Sequence, residues 1–133
     1  MSEFTFDPRE NCILVDASVW GPRSHTDLRL LLDTGASQTI VRPEILDDLG
    51  YSPRDGDRVA AVSSPVGREY GYTIRLKRFK CLGLSFEDLS VLALDLPEQT
   101  DIDGLLGWNF LQNFDYEVQS KRGILRVGLT AST

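Results

Sequence analysis

Apolar and polar positions alternate over short distances along this chain, and few stretches keep a helical period. "CILVDASVW" (12–20) and "LRLLLD" (28–33) read as strands separated by the turn-forming "GPRSHTD", which predicts a hairpin. "DRVAAV" (57–62) and "REYGYTIRLKRF" (68–79) flank "SSPVG", whose residues favour a tight tip, so a second and longer hairpin is predicted. In its second arm Ile74 and Leu76 alternate with Arg75 and Lys77, then Arg78 and Phe79 reverse the phase. That reversal predicts a strand with a bulge near Lys77 and a solvated basic outer face. "KCLGLSF", "LSVLALDLP" and "GILRVGL" read as further strands, with Pro97 closing the second. Two segments carry helical signals. "RPEILDDLG" offers Pro43 for a first helical position, Ile45, Leu46 and Leu49 on one face, and Gly50 as a stop. "GWNFLQNF" places Trp108, Leu111 and Phe114 on a common face. The pattern predicts an all-β domain with one or two short helices.

Length and charge narrow what such a domain can do. The 133 residues suffice for one core, so 1–133 is read as a single domain. A net charge of −6 opposes binding to nucleic acid, which makes the basic "RLKRFK" (75–80) a solvated strand face rather than a phosphate-binding patch. No apolar run approaches the roughly 20 residues of a membrane span, so no membrane association is expected. "MSEFTFDPRE" lacks the basic and apolar regions of a secretory signal, so a cytoplasmic location is expected. Cys12 and Cys81 stand far apart in no metal-ligand spacing and are expected to be free thiols.

The residue inventory excludes several chemistries. The single histidine, His25, lies in the turn cluster and is expected to be merely solvated, which leaves no base for a Ser-His or Cys-His nucleophile. Zinc would need several His or Cys ligands at set spacings, and no phosphate-binding glycine motif occurs, so no cofactor or metal is expected. Carboxylates remain. Asp33 is conspicuous among them because it ends an apolar run, where an unpartnered charge would lose several kcal/mol of hydration or else go neutral.

"LLLDTGAS" followed by "TIV" resembles the Asp-Thr/Ser-Gly signature of aspartic peptidases, and "DGLLGWNFL" (103–111) is similar to their hydrophobic-hydrophobic-Gly-helix segment. The hairpin "AAVSSPVGREY" lies between the two, in the order found in retropepsin-like, single-domain aspartic peptidases. The resemblance covers nearly the whole chain. It implies a retropepsin-like acid-protease fold that works as a two-fold homodimer. The chain holds one Asp-Thr-Gly, so the second carboxylate of the catalytic dyad would come from a second copy. One carboxylate would act as base toward a water, while the other, protonated, polarises the scissile carbonyl of a peptide or protein substrate. The implied catalytic residues are Asp33, Thr34 and Gly35, with Thr34 bonding across the axis. Ala36 and Ser37, together with the hairpin residues Val62, Ser63, Ser64, Pro65, Val66 and Gly67, would bind substrate, the hairpin acting as a flap.

Retroviral members usually carry an acidic residue two positions after the Asp-Thr-Gly glycine and an arginine just after the second glycine. Ser37 and Trp108 stand there in this chain, so both halves of that ion pair are absent together. Related folds also imply that "GILRVGL" and "EFTFD" pair with their symmetry mates. The alternative reading is a non-enzymatic retropepsin-like module that dimerises or binds peptide.

Overall fold

A computed structural model describes residues 2–56, 58–64, 67–97 and 101–128, with 58–64 and 67–69 described through their backbone. Pro65 and Val66, two of the expected substrate-binding residues, lie outside the described residues. The apolar runs become strands: β1 Ser2–Thr5, β2 Leu14–Trp20, β3 His25–Leu32, β4 Thr39–Val41, β5 Arg58–Ser64, β6 Gly67–Leu76 and β7 Arg78–Cys81. They continue as β8 Leu84–Phe86, β9 Leu89–Ala93, β10 Gly104–Leu106, β11 Asp115–Gln119 and β12 Ile124–Gly128. Two short helices, α1 Pro43–Asp48 and α2 Trp108–Leu111, complete the mostly β architecture that the alternation predicted.

Among the described residues the strands form two sheets. The larger runs β5-β6-β9-β4-β10-β3-β2-β7-β8, and the smaller runs β1-β12-β11. β10 pairs parallel with β3 and antiparallel with β4, so Gly104 is wedged between Leu30 and Val41. The core lies where the inward faces of these strands meet α1 and α2. Leu30, Val41, Leu46, Leu106, Phe110 and Leu111 are all fully buried in it. Phe110 makes edge-to-face contacts with Phe79, Phe86 and Phe114 at centroid separations of 5.4, 5.3 and 5.4 Å, a geometry suited to ring quadrupoles.

Several local expectations are met and others are corrected. α1 starts at Pro43, buries Leu46 and Leu49, and ends before Gly50 at φ +99°, where a side chain would be strained. His25 is exposed but sits in β3 opposite Trp20, its ring stacked at 5.9 Å, so the turn cluster is shorter than predicted. The strand at Lys77 breaks instead of bulging. β6 pairs with β5 and β9, whereas β7 pairs with β2 and β8, so the chain changes neighbours at this point. "KCLGLSF" is a hairpin and not one strand, because Leu82 and Gly83 both take positive φ (54° and 77°) between the paired Cys81 and Leu84. β12 has β1 on one edge and β11 on the other, so the expected pairing of "GILRVGL" with a symmetry mate finds both its edges occupied within the chain. The phase of "DYEVQ" is dominated by polar residues, which hid β11 from the periodicity argument.

Tyr51 explains the break at Lys77. Its hydroxyl accepts the Lys77 N–H at 2.7 Å and donates to the Trp20 carbonyl at 2.7 Å, tying the break between β6 and β7 to the end of β2. Tyr51→Phe leaves both backbone groups without that partner, and a loss of about 1–3 kcal/mol in denaturant unfolding is expected. A change below a few tenths would show that water replaces the hydroxyl.

Cys12 and Cys81 are free thiols. Burial, then the nearby Asp16 charge, pushes the Cys81 thiol from 9.0 up to about 12. An acid raised in the fold favours its neutral form there. Its contribution is therefore complete below about pH 9 and disappears as pH rises from about 9 through 12. By pH 10.5 this should remove about 2 kcal/mol of stability. Denaturant titrations at pH 8 and 10.5 should show that loss in the wild type and a smaller one in Cys81→Ala.

Candidate active site

Asp33 directly follows β3, and the neighbouring strand fixes its backbone: the Asp33 N–H donates to the Leu106 carbonyl at 3.0 Å. The chain then reverses sharply, with the Ala36 N–H returning to the Asp33 carbonyl at 3.2 Å. This turn carries the carboxylate out of the apolar interior, and Asp33 ends half-buried while Thr34, Gly35 and Ser37 are exposed. Asp33 Oδ1 accepts the Gly35 N–H at 2.9 Å. Among the described residues Oδ2 accepts no hydrogen bond. A Cβ on residue 35 would come within 3.3 Å of Oδ1, so glycine is the residue that leaves the carboxylate uncrowded.

The loop is bolted to α2 through its backbone. The Trp108 N–H donates to the Ala36 carbonyl at 2.7 Å, and the Asn109 N–H donates to the Ser37 carbonyl at 3.2 Å. These bonds satisfy helix-start N–H groups that α2 itself cannot use. Gly107 permits the approach, since a Cβ there would strike the backbone of Gln38 and Thr39. The two segments singled out by their sequence, 33–41 and 103–111, are thereby brought together.

The residue that locks them was not picked out by the sequence reading. Asn109 Oδ1 accepts both the Thr39 N–H at 2.8 Å and the Thr39 hydroxyl at 2.9 Å, while its Nδ2 donates to the Ser90 carbonyl at 2.7 Å. Thr39 Oγ1 in turn accepts the Gly107 N–H at 3.1 Å. Thr39 is completely buried, so this network meets the hydrogen-bonding demand of polar groups that water cannot reach. An amide between Trp and Phe in a segment otherwise apolar was the available signal. Arg42 serves the same scaffold, donating to the carbonyls of Ile102, Leu96 and Pro97 at 2.8, 2.9 and 3.2 Å.

Asp103 has a structural duty: its Oδ2 accepts the Arg29 N–H at 2.8 Å and its N–H donates to the Arg29 carbonyl at 2.8 Å, prolonging the β10–β3 pairing. Trp108 departs from expectation. It is 45% exposed, while Phe110, Leu111 and Phe114 form the inward face. α2 is a single turn, and with Asn109 held inward by Thr39 and Ser90 the helix has rotated Trp108 outward.

The hairpin expected to bind substrate exists as β5 and β6, in the register Val62↔Glu69, Ser63↔Arg68 and Ser64↔Gly67. β9, β4 and β10 separate it from β3 in the sheet, so hydrogen-bonded pairing does not bring it to Asp33. A cavity of about 820 Å³ lies elsewhere, between Phe4, Asp16, Ser18 and Lys80, and includes no residue of the Asp33 loop.

Residues 15–110 match the family model described as aspartyl protease, and the chain belongs to that family. Its fold is retropepsin-like. It is similar to a retropepsin-like aspartic protease from Rickettsia conorii at a TM-score of 0.70 and 18% identity, over 95% of this chain and 88% of that one. It is also similar to the EIAV protease complexed with the inhibitor HBY-793 at a TM-score of 0.56 and 20% identity, over 82% and 92% of the respective chains. No curated protein matches the chain. Among the described residues no helix is long and apolar enough to cross a membrane.

Proposed function

We propose that this chain is one subunit of a homodimeric aspartic endopeptidase, with water activated between its Asp33 and the partner subunit's Asp33. The observation that carries this reading is the placement of Asp33: half-buried, gripped at Oδ1 by the Gly35 N–H, and mounted on a loop bonded to β10 and α2. A turn that needed only a surface aspartate would not require such anchoring. One carboxylate is not enough for amide hydrolysis by this route. Two at close range share a proton, because like charges there do not both ionise. The ionised member takes a proton from water as the hydroxyl attacks the carbonyl carbon, and the protonated member hydrogen-bonds the carbonyl oxygen. Collapse of the tetrahedral intermediate returns a proton to the departing nitrogen.

In this proposal Thr34 bonds across the two-fold axis, Ala36 and Ser37 border the bound peptide, and the β5–β6 hairpin from Val62 to Gly67 covers it as a flap. An extended peptide would pair with exposed backbone as an added strand. The substrate class is therefore unfolded or extended polypeptide. The test is cleavage of a denatured protein between pH 4 and 6, blocked by a hydroxyl-bearing transition-state mimic and by Asp33→Asn. Hydrolysis that survives Asp33→Asn would refute the assignment.

A further inference from the structure

We propose that the crevice between the two sheets is a second peptide-binding site, in which an extended segment of a protein substrate adds as a strand to the free edge of β1. β1 is the outer strand of the smaller sheet, with β12 on one side and, among the described residues, no strand on the other. The Phe6 N–H, bonded to the Gly123 carbonyl at 2.9 Å, sets the phase of the β1–β12 ladder. Ser2 and Phe4 therefore turn their N–H and C=O groups toward β12, while Glu3 and Thr5 turn theirs outward. The cavity of about 820 Å³ lies along this edge, lined by the consecutive residues Glu3, Phe4 and Thr5. Successive side chains of a strand point to opposite faces, so three in a row border one cavity where it runs past the strand's edge. The opposite wall is β2, which β7 covers only from Ala17 onward, so Leu14 has no strand of the described residues beside it on that edge.

Unpaired strand edges select the occupant. Outward N–H and C=O groups beside a cavity are matched in register by another extended main chain. The volume falls within the roughly 300–1,000 Å³ of ligand sites. Side chains add no strong charge preference, because Asp16, Asp27 and Lys80 give the lining both signs and Ser18 Oγ already donates to Asp27 at 2.8 Å. Recognition through the main chain tolerates sequence variation, which suits an unfolded polypeptide. The cavity is separate from the Asp33 loop, yet Leu14 pairs opposite Leu31, close to Asp33 along β3. A long chain therefore reaches both places, whereas a short peptide fills one. The inference rests on the peptidase reading above for the identity of the occupant, and on the strand edge alone for the existence of the site.

Binding is measured on the full chain by fluorescence anisotropy of a labelled peptide of alternating Thr and Val, with a hydroxyl-bearing transition-state mimic present at saturation to occupy the Asp33 cleft. Thr5→Pro removes one outward N–H at an edge position where proline leaves the β12 ladder intact, and it spares the Glu3–Arg126 contact at 3.5 Å. It should weaken peptide binding about tenfold or more, while Thr5→Val, which keeps that N–H, should change it by less than about twofold. N-methylation of alternate peptide residues, tried in both phases, should weaken binding to wild type about tenfold in at least one phase, whether or not Thr5→Pro folds. In hydrolysis, Thr5→Pro should lower kcat/KM on casein, an unfolded protein, about fivefold more than on a short peptide, and mainly through KM. Peptide binding that the mimic abolishes, or that neither Thr5→Pro nor N-methylation weakens, would overturn the proposal. So would sedimentation showing that Thr5→Pro abolishes self-association, since the edge would then belong to a second copy. Failure of the peptidase reading looks different: neither substrate would be cleaved, yet Thr5-dependent peptide binding would persist.

Discussion

Mixing wild type with Asp33→Asn at fixed total protein is expected to lower hydrolysis as the square of the wild-type fraction. At equal amounts and free exchange, roughly a quarter of dimers carry two aspartates and about half carry one. A mixed dimer has no second carboxylate to share the proton, so it lacks either the base or the polarising acid and should be nearly inactive. Loss of that acid–base pair should lower kcat by about 10²–10⁴-fold or more in the pure variant. The substitution keeps the size of the side chain, and an amide oxygen can still accept the Gly35 N–H that Oδ1 accepts at 2.9 Å. Stability should therefore change little while activity collapses. A linear decline with wild-type fraction would mean that each chain works alone.

Gly104→Ala is expected to prevent stable folding, with a loss of about 4 kcal/mol or more against a typical total of about 5–15. Gly104 lies in β10 between Leu30 of β3 and Val41 of β4, and a Cβ there would fall on the carbonyl oxygen of Ile40. Backbone on both sides prevents the small adjustments that usually absorb a methyl group. Separating β10 from β4 would also displace Leu106, whose carbonyl holds the Asp33 N–H at 3.0 Å. Soluble yield and the denaturation midpoint provide the measurement. Leu105→Ala, at a half-buried position in the same strand, is the control and should be much milder. A Gly104→Ala chain that folds with near-normal stability would contradict the packing described for this strand.

The two predictions draw on different depths of information. Periodicity and turn chemistry sufficed for the mostly β class, because alternation at β2, β3 and β12 and the Pro43-to-Gly50 helix are local features encoded within a few residues. Asp33 was legible as a candidate for the same reason. A carboxylate ending an apolar run, followed by Thr and Gly, is a local contradiction that invites a chemical explanation.

What only the tertiary structure decided involves partners distant in the chain. The strand breaks at Lys77 because the Tyr51 hydroxyl, 26 residues away, takes its N–H. β12 is closed on both edges because β1 arrives from the other end of the chain. Asn109 matters because folding sets it against Thr39, 70 residues away, and Trp108 points outward because Asn109 points in. A sequence pattern reports how often a side chain faces the core, but a buried polar group is satisfied by whichever distant atom the fold delivers.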